Sequence, residues 1–374
     1  MRLLFILLIA CLSSCSEKRK SSELLMINLD EISYEPMDIS AVADSVIYIQ
    51  FDNSFILPGF VSLYWADSCF FANTREGVLK YDIKGCFLQK IGGLGDGPKE
   101  YPRYSYHCIM DKSNEVIYIY VYSEQKLLSY SFTGKFIKSV QVELPDDVKI
   151  YFPSFAYMQD DLIYFYYDNN MGKSGKRPYY WLSIKKDGTF VESYKGYKEI
   201  VEKYAGIYGI FYAAMNDSTV VYYDLFEDSI YHVTPHRSYA AYLWGQGNFR
   251  LLENDPFPTP PVERRICTHF FDTKNFFLFQ VTNFNRQPDN VNFFVYYDKK
   301  NGEFAKIQKE ELLFDERINV PLFPRSLIQI DGREYFICQT NTAALLNIPE
   351  AIPWGMDEDD LEGNPVLVLV RLKE

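Results

Sequence analysis

The part of this 374-residue sequence richest in chemical possibility is Ile91-Gly92-Gly93-Leu94-Gly95-Asp96-Gly97-Pro98-Lys99-Glu100-Tyr101. Closely spaced glycines let backbone N–H groups converge on an anion, which is how phosphate loops work. No Gly-Lys-Ser/Thr ending follows here, and Pro98 and Pro102 deny the loop a helix N-terminus. Gly92, Gly95, Gly97, Pro98, Glu100 and Tyr101 therefore read as a structural crossover, with Glu100 reaching back to backbone donors of the loop. The histidines His107, His232, His236 and His269 are scattered. His232 and His236 have the i,i+4 spacing of a helical zinc pair, but they flank Pro235 in a strand-and-turn context. Asp357-Glu358-Asp359-Asp360 lacks the Asp-x-Asp-x-Asp-Gly order and the closing Glu of a calcium loop. No Gly-x-Ser-x-Gly elbow offers a serine nucleophile. No catalytic, cofactor-binding or metal-ligating residue is assigned, and a divalent metal such as calcium, held by distant residues on a common axis, is kept as the alternative.

Of seven cysteines, Cys11 and Cys15 lie near the N-terminus. Cys69, Cys86, Cys108, Cys267 and Cys338 show no CxxC spacing and sit mostly in apolar runs, where a free thiol packs as a small hydrophobe. One disulfide among them stays open. Aromatic residues reach 17% of the chain, and their faces with polar neighbours suit carbohydrate or peptide ligands. Trp65, Tyr104, Tyr106, Tyr151, Phe152, Tyr208, Phe211, Tyr212, Trp244, Phe257 and Trp354 fall near inner strands or loops, whereas Tyr179-Tyr180-Trp181 reads as strand packing. The loops 168–178, 245–262 and 283–290 exceed what a hairpin needs, and loops on a rigid scaffold are where function concentrates.

The elements that must position these residues are strands. Tyr (31) and Phe (29) favour pleated, half-buried surfaces, and long segments with helical spacing are scarce. A unit recurs: a short strand, a turn carrying Asp, two apolar strands, a Gly turn and a more polar strand. Its Asp turns fall at Asp67, Asp111, Asp160-Asp161, Asp217, Asp272 and Asp331. Its Gly turns are Lys84-Gly85, Thr133-Gly134, Asp187-Gly188 and Asn301-Gly302, with Thr234-Pro235-His236 in the fourth copy. Glycine tolerates the positive φ that tight hairpins need. Four strands every 45–60 residues or so is the pattern of a propeller blade. The sixth unit ends at Pro365–Leu372 without a fourth strand, and the lone strand Val46–Phe51 can supply it and close the ring. The expected fold is all-β, a six-bladed β-propeller of four-stranded antiparallel blades, its last blade closed by the N-terminal strand. A pair of β-sandwiches, the rival, gives no repeated Asp-turn register.

At the N-terminus, Met1-Arg2 precedes an apolar run from Leu3 to Leu12, too short for a transmembrane helix but suited to a signal peptide. Leu12-Ser13-Ser14-Cys15 resembles the lipobox of bacterial lipoproteins, which implies cleavage before Cys15 and lipid attachment on it. The expected organisation is a lipoprotein signal peptide over 1–14, a tether and lead-in over 15–40, and the propeller over 41–374. The stretch Ile91–Tyr101 resembles the Ile-Gly-x-x-Gly-x-Gly-Pro-x-Glu-Tyr signature of six-bladed propeller lipoproteins of Bacteroidetes, relatives of NHL-type propellers and largely uncharacterised. Ala43–Ile49 and Asn364–Lys373 resemble the same family's opening strand and C-terminus. The resemblance implies a fold and a compartment, that of an exported lipoprotein of the cell envelope, in the outer membrane, but no reaction.

A net charge of −12 argues against nucleic acid and against electrostatic docking of the body on an anionic membrane. The expected partners are therefore the membrane, through lipidated Cys15, and a glycan, peptide or envelope protein. The expected function is a membrane-anchored binding module with no evident catalysis and no cofactor. The alternative is a propeller hydrolase or lactonase with a divalent metal on the central axis.

Overall fold

The computed structural model describes residues 24–57, 62–66, 68–146, 152–167, 179–195, 214–216, 219–223, 226–234, 237–252, 254–256, 261–283, 291–345 and 363–374. They form an all-β propeller of antiparallel blades. The first blade is Ser62–Ala66, Cys69–Thr74, Gly77–Asp82 and Phe87–Ile91; the second is Tyr106–Asp111, Val116–Val121, Lys126–Ser131 and Phe136–Gln141. The third is Phe155–Gln159, Leu162–Tyr166, Tyr179–Lys185 and Phe190–Lys195. The fourth is Ala214–Asn216, Thr219–Tyr223, Ser229–Thr234 and Arg237–Trp244; the fifth is Arg265–Asp272, Phe276–Asn283, Asn292–Asp298 and Phe304–Gln308. A closing blade joins Ser326–Ile330, Arg333–Thr340 and Val366–Leu372 to the N-terminal strand Ala43–Gln50, with Val46 opposite Val370 and Tyr48 opposite Val368.

The sheets number seven among the described residues, not the six blades expected, leaving aside a two-stranded pairing in the crossover loop. The additional sheet has three strands, Met37–Asp38, Leu312–Asp315 and Val320–Pro321, and shares a core with the fifth and closing blades. It has no Gly turn, and one of its strands comes from the N-terminal lead-in, so counting repeats could not find it.

The second strands show why the chain stacks this way. Thr219–Tyr223 and nearly all of Val116–Val121 are buried, because each blade is covered on both faces. Separate apolar cores fill each interface between consecutive blades, from first against second round to closing against first. The Gly turns serve these interfaces directly. Gly85 (φ +88°) lies so close to the previous blade's outer strand that a Cβ there would sit 2.0 Å from the Gln50 carbonyl oxygen. Gly188 (φ +89°) meets the Gln141 carbonyl in the same way, at 2.3 Å. A side chain fails at both positions on torsion and on space.

From residue 24 onward the lead-in is part of the folded body. Leu25–Ile27 pairs in parallel with Tyr242–Trp244 on the fourth blade's outer edge. Ser33–Glu35 then brackets Lys306 on the fifth blade, with both backbone hydrogen bonds at 2.8 Å. Met37–Asp38 joins the three-stranded sheet, and the Asp38 carboxylate caps the helical turn Ile39–Val42 by accepting from Ser40 N at 2.6 Å. The segment is a strap across successive sheets.

Candidate ligand-binding site

In an antiparallel meander, the connections between first and second strands and between third and fourth strands leave from one end of the ring. The second-to-third and blade-to-blade connections leave from the other. At the first end the turns are tight and aspartates bridge neighbours. Asp111, buried, accepts from Asn114 and pairs at 2.7 Å with Lys186 from the next blade's Gly turn. Asp272, at the start of the fifth blade's Asp turn, pairs with Lys299 and accepts from Tyr242 Oη at 2.9 Å, while His232 Nε2 of the fourth blade lies 3.0 Å away. Burial alone would raise the Asp272 pKa, but His232 and Lys299 outweigh it and hold the carboxyl below its ordinary value. In the three-stranded sheet, Asp315 receives Arg317 at 2.9 and 2.6 Å, and Tyr48 Oη of the closing strand at 2.5 Å. These carboxylates are fully engaged in joining sheets.

The opposite end carries the long connections and an aromatic group drawn from three separate segments. Tyr122 follows the second blade's second strand, His107 is the second residue of its first strand, and Phe152 lies in the connection to the third blade. The Phe152 and Tyr122 rings are tilted by 40° with centroids 4.8 Å apart, and the His107 ring stands 5.5 Å from Tyr122. His107 Nε2 lies 2.7 Å from the Pro153 carbonyl, which can only accept, so this nitrogen carries the proton. Burial holds the imidazole pKa below its ordinary value, only partly opposed by that carbonyl. The neutral ring thus fixes Pro153, and with it the neighbouring Phe152. Phe152 is 57% exposed, and Tyr104, in the preceding blade-to-blade connection, is 62% exposed. Ser105 beside it has φ +72°, and its carbonyl accepts from Tyr122 N at 3.2 Å. The group therefore presents open aromatic faces on a braced backbone.

The glycine-rich loop lies at this same end, between the first and second blades. Glu100 turns its carboxylate inward and accepts from Gly97 N at 3.0 Å, and a Cβ on Gly95 would sit 2.1 Å from that carboxylate. The place where an anion would bind is filled by the chain's own Glu100. Tyr101 is buried; its hydroxyl accepts from Val78 N at 3.0 Å and donates to the Ile91 carbonyl at 2.7 Å. Gly92 (φ +67°) touches Tyr130, whose hydroxyl donates to the Lys99 carbonyl at 2.7 Å.

Other residues singled out in the sequence lie elsewhere. Trp65 and Trp244 are buried, against Phe70 and Phe249 respectively, and Tyr106 donates to Asn73 Oδ1 at 2.7 Å. Among the described residues no disulfide joins Cys69, Cys86, Cys108, Cys267 and Cys338, and Cys86 alone of these is exposed. Cys15, His236, Tyr151, Tyr208, Phe211, Tyr212, Phe257, Trp354 and the acidic run 357–360 lie outside the described residues. Among the described residues no three His, Cys, Asp or Glu side chains are grouped to hold a metal ion. Asn364 is a polar anchor that sequence reasoning missed. Its side chain donates to the Asp52 and Phe55 carbonyls at 2.6 and 2.7 Å and accepts from Leu57 N at 2.6 Å. An Asn between a loop and an apolar strand was its only signal.

The family described as Domain of unknown function (DUF4934) matches residues 24–371. No curated protein matches. The fold is similar to the crystal structure of a candidate exported protein from Bacteroides fragilis NCTC 9343, with TM-score 0.64 and 14% identity over 94% of this chain and 100% of that one. A DUF4221 family member from Bacteroides vulgatus ATCC 8482 aligns with TM-score 0.48 and 14% identity, covering 89% of this chain and 97% of that one. Streptogramin B lyase aligns with TM-score 0.44 and 13% identity, covering 88% and 98%.

Proposed function

We propose that this chain, which belongs to the DUF4934 family, is an exported, lipid-anchored propeller that binds an envelope ligand through the aromatic end of its ring. The observation that carries the reading is the Tyr122–Phe152 pair, braced by His107, at the end with the long connections, where Phe152 and Tyr104 are both exposed. Open ring faces on a rigid scaffold stack on the C–H faces of sugars, so a glycan is the ligand class the geometry fits best. A peptide or a partner protein is the other class such faces accept. In this reading Cys15 carries the lipid in the outer membrane. Gly92, Gly95, Gly97, Pro98, Glu100 and Tyr101 serve as a structural crossover, its anion place taken by Glu100.

A glycan array probed with the mature protein, followed by titration of the best-bound glycan, tests the site. Phe152→Ala and Tyr104→Ala should each weaken binding about tenfold, the scale of one lost aromatic contact of roughly 1.4 kcal/mol. A double variant that binds as tightly as the parent refutes the assignment.

A further inference from the structure

We infer that the outer wall of the fourth and fifth blades, clad by the strap of residues 24–35, is the surface this protein lays against the lipid bilayer. The inference rests on the lipid-anchor reading of Cys15. Along Leu25–Ile27 the side chains alternate: Leu25 and Ile27 turn into the core shared by the fourth and fifth blades, while Leu24 and Met26 face outward, 41% and 48% exposed. Further along the strap, Tyr34 is half exposed on the fifth blade. Its ring lies edge-on to Phe293, with the Lys306 ammonium 5.4 Å from its centroid. An amphipathic ring beside a lysine, on the same strap as outward Leu24 and Met26, is the chemistry that settles at a membrane–water boundary.

Position commits this patch to lipid rather than to a protein. Only eight residues separate Cys15 from Leu24, so a lipid on Cys15 holds Leu24 within roughly 30 Å of the bilayer surface. That reach is slightly more than the length of a blade strand, roughly 17–26 Å for most strands at about 3.3 Å per residue. Lys18-Arg19-Lys20 within those eight residues adds attraction to anionic headgroups close to the anchor. The first and second blades lie on the far arc of the ring, so their outward Leu88 and Ile137 have no comparable tether. The aromatic end then opens along the membrane rather than into it.

The experiment uses the mature lipidated protein, purified from membranes and reconstituted in brominated phosphatidylcholine vesicles. Tryptophan is introduced singly as Met26→Trp, Tyr34→Trp, Leu88→Trp and Phe152→Trp, all at exposed positions. Quenching by the brominated chains at 26 and 34 should be at least about twice that at 88 and 152. Equal quenching at 26, 34 and 88, or stronger quenching at 152, overturns the inference while leaving the anchor intact. Comparing the parent with Cys15→Ala in washed membranes tests the anchor separately. Equal retention of the two removes the anchor and the proposed seating together.

Discussion

Replacing Tyr101 by Phe tests whether the glycine-rich crossover exists for architecture. The Tyr101 hydroxyl stands between Val78 N and the Ile91 carbonyl, residues paired across the third and fourth strands of the first blade. Phenylalanine fills the same space but leaves a buried donor and a buried acceptor without their partner. Each such group costs about 1–3 kcal/mol, and partial closure of Val78 onto Ile91 recovers some of it, giving an expected loss of about 2–4 kcal/mol. With a urea slope of about 3 kcal/mol/M for a body of this size, the unfolding midpoint should fall by roughly 1 M. The Cys15→Ala variant is the parent, followed by near-ultraviolet circular dichroism and tryptophan emission together. Tyr130→Phe is the internal control. Its hydroxyl donates to the carbonyl of exposed Lys99, which water can replace, so the expected loss is at most about 1 kcal/mol. A Tyr101→Phe midpoint within about 0.2 M of the parent refutes the architectural role, because buried partners cannot be lost so cheaply.

Asp272→Asn should cost about 2–3 kcal/mol, less than a fully buried broken pair because Lys299 keeps some solvent, and should show as a lowered urea midpoint at pH 7. The carboxyls of Asp272, Asp111 and Asp315 are all held below their ordinary values. Their stabilisation is therefore complete above about pH 4 and is lost as pH falls further, so the Asp272→Asn curve should be flatter than the parent's in that window. His107 and His269 have lowered imidazole pKa values, so the unfolded chain takes up protons first and stability declines as pH drops below about 6.5. His107→Phe should reduce that slope, and parallel curves for variant and parent would count against it. Ile27→Ala removes a buried strap side chain and should cost about 2–4 kcal/mol; a thermal midpoint equal to the parent's would show that the strap is not structural.

The blades were legible in the sequence because their turns depend on residue type. Gly85 and Gly188 stand where only glycine fits, and central strands such as Val116–Val121 are apolar throughout because both faces are covered. The strap was not legible. Leu25–Ile27 is three residues long, and its partner Tyr242–Trp244 lies more than 200 residues away, so no local pattern announces it. The same limit hid the three-stranded sheet. The recurring aspartates could be seen as a repeat, but Lys186, Lys299 and His232 reach them from turns and strands that only the folded ring brings close. Aromatic residues misled in both directions. Trp65 and Trp244 have the composition of a ligand platform yet fill the interior, while Tyr122, not singled out in the sequence, packs against the exposed Phe152.

The pairing of Ala43–Gln50 with Val366–Leu372 also bears on how the molecule reaches this state. Ile47 and Leu369 are neighbours in the sheet but about 320 residues apart in the chain, a closure costing roughly 5 kcal/mol of chain entropy beyond the constant term if the intervening chain is unstructured. Blades formed earlier shorten the effective loop, so the final rung is favoured to form last, after its neighbours have stacked. Until then Val366–Leu372 is an uncovered edge of alternating aliphatic residues, the kind of edge that recruits other chains. A chain made N-terminus first holds Ala43–Gln50 unpaired until Val366–Leu372 follows. Variants that slow ring closure should therefore aggregate through those two segments during refolding from urea, which light scattering would read.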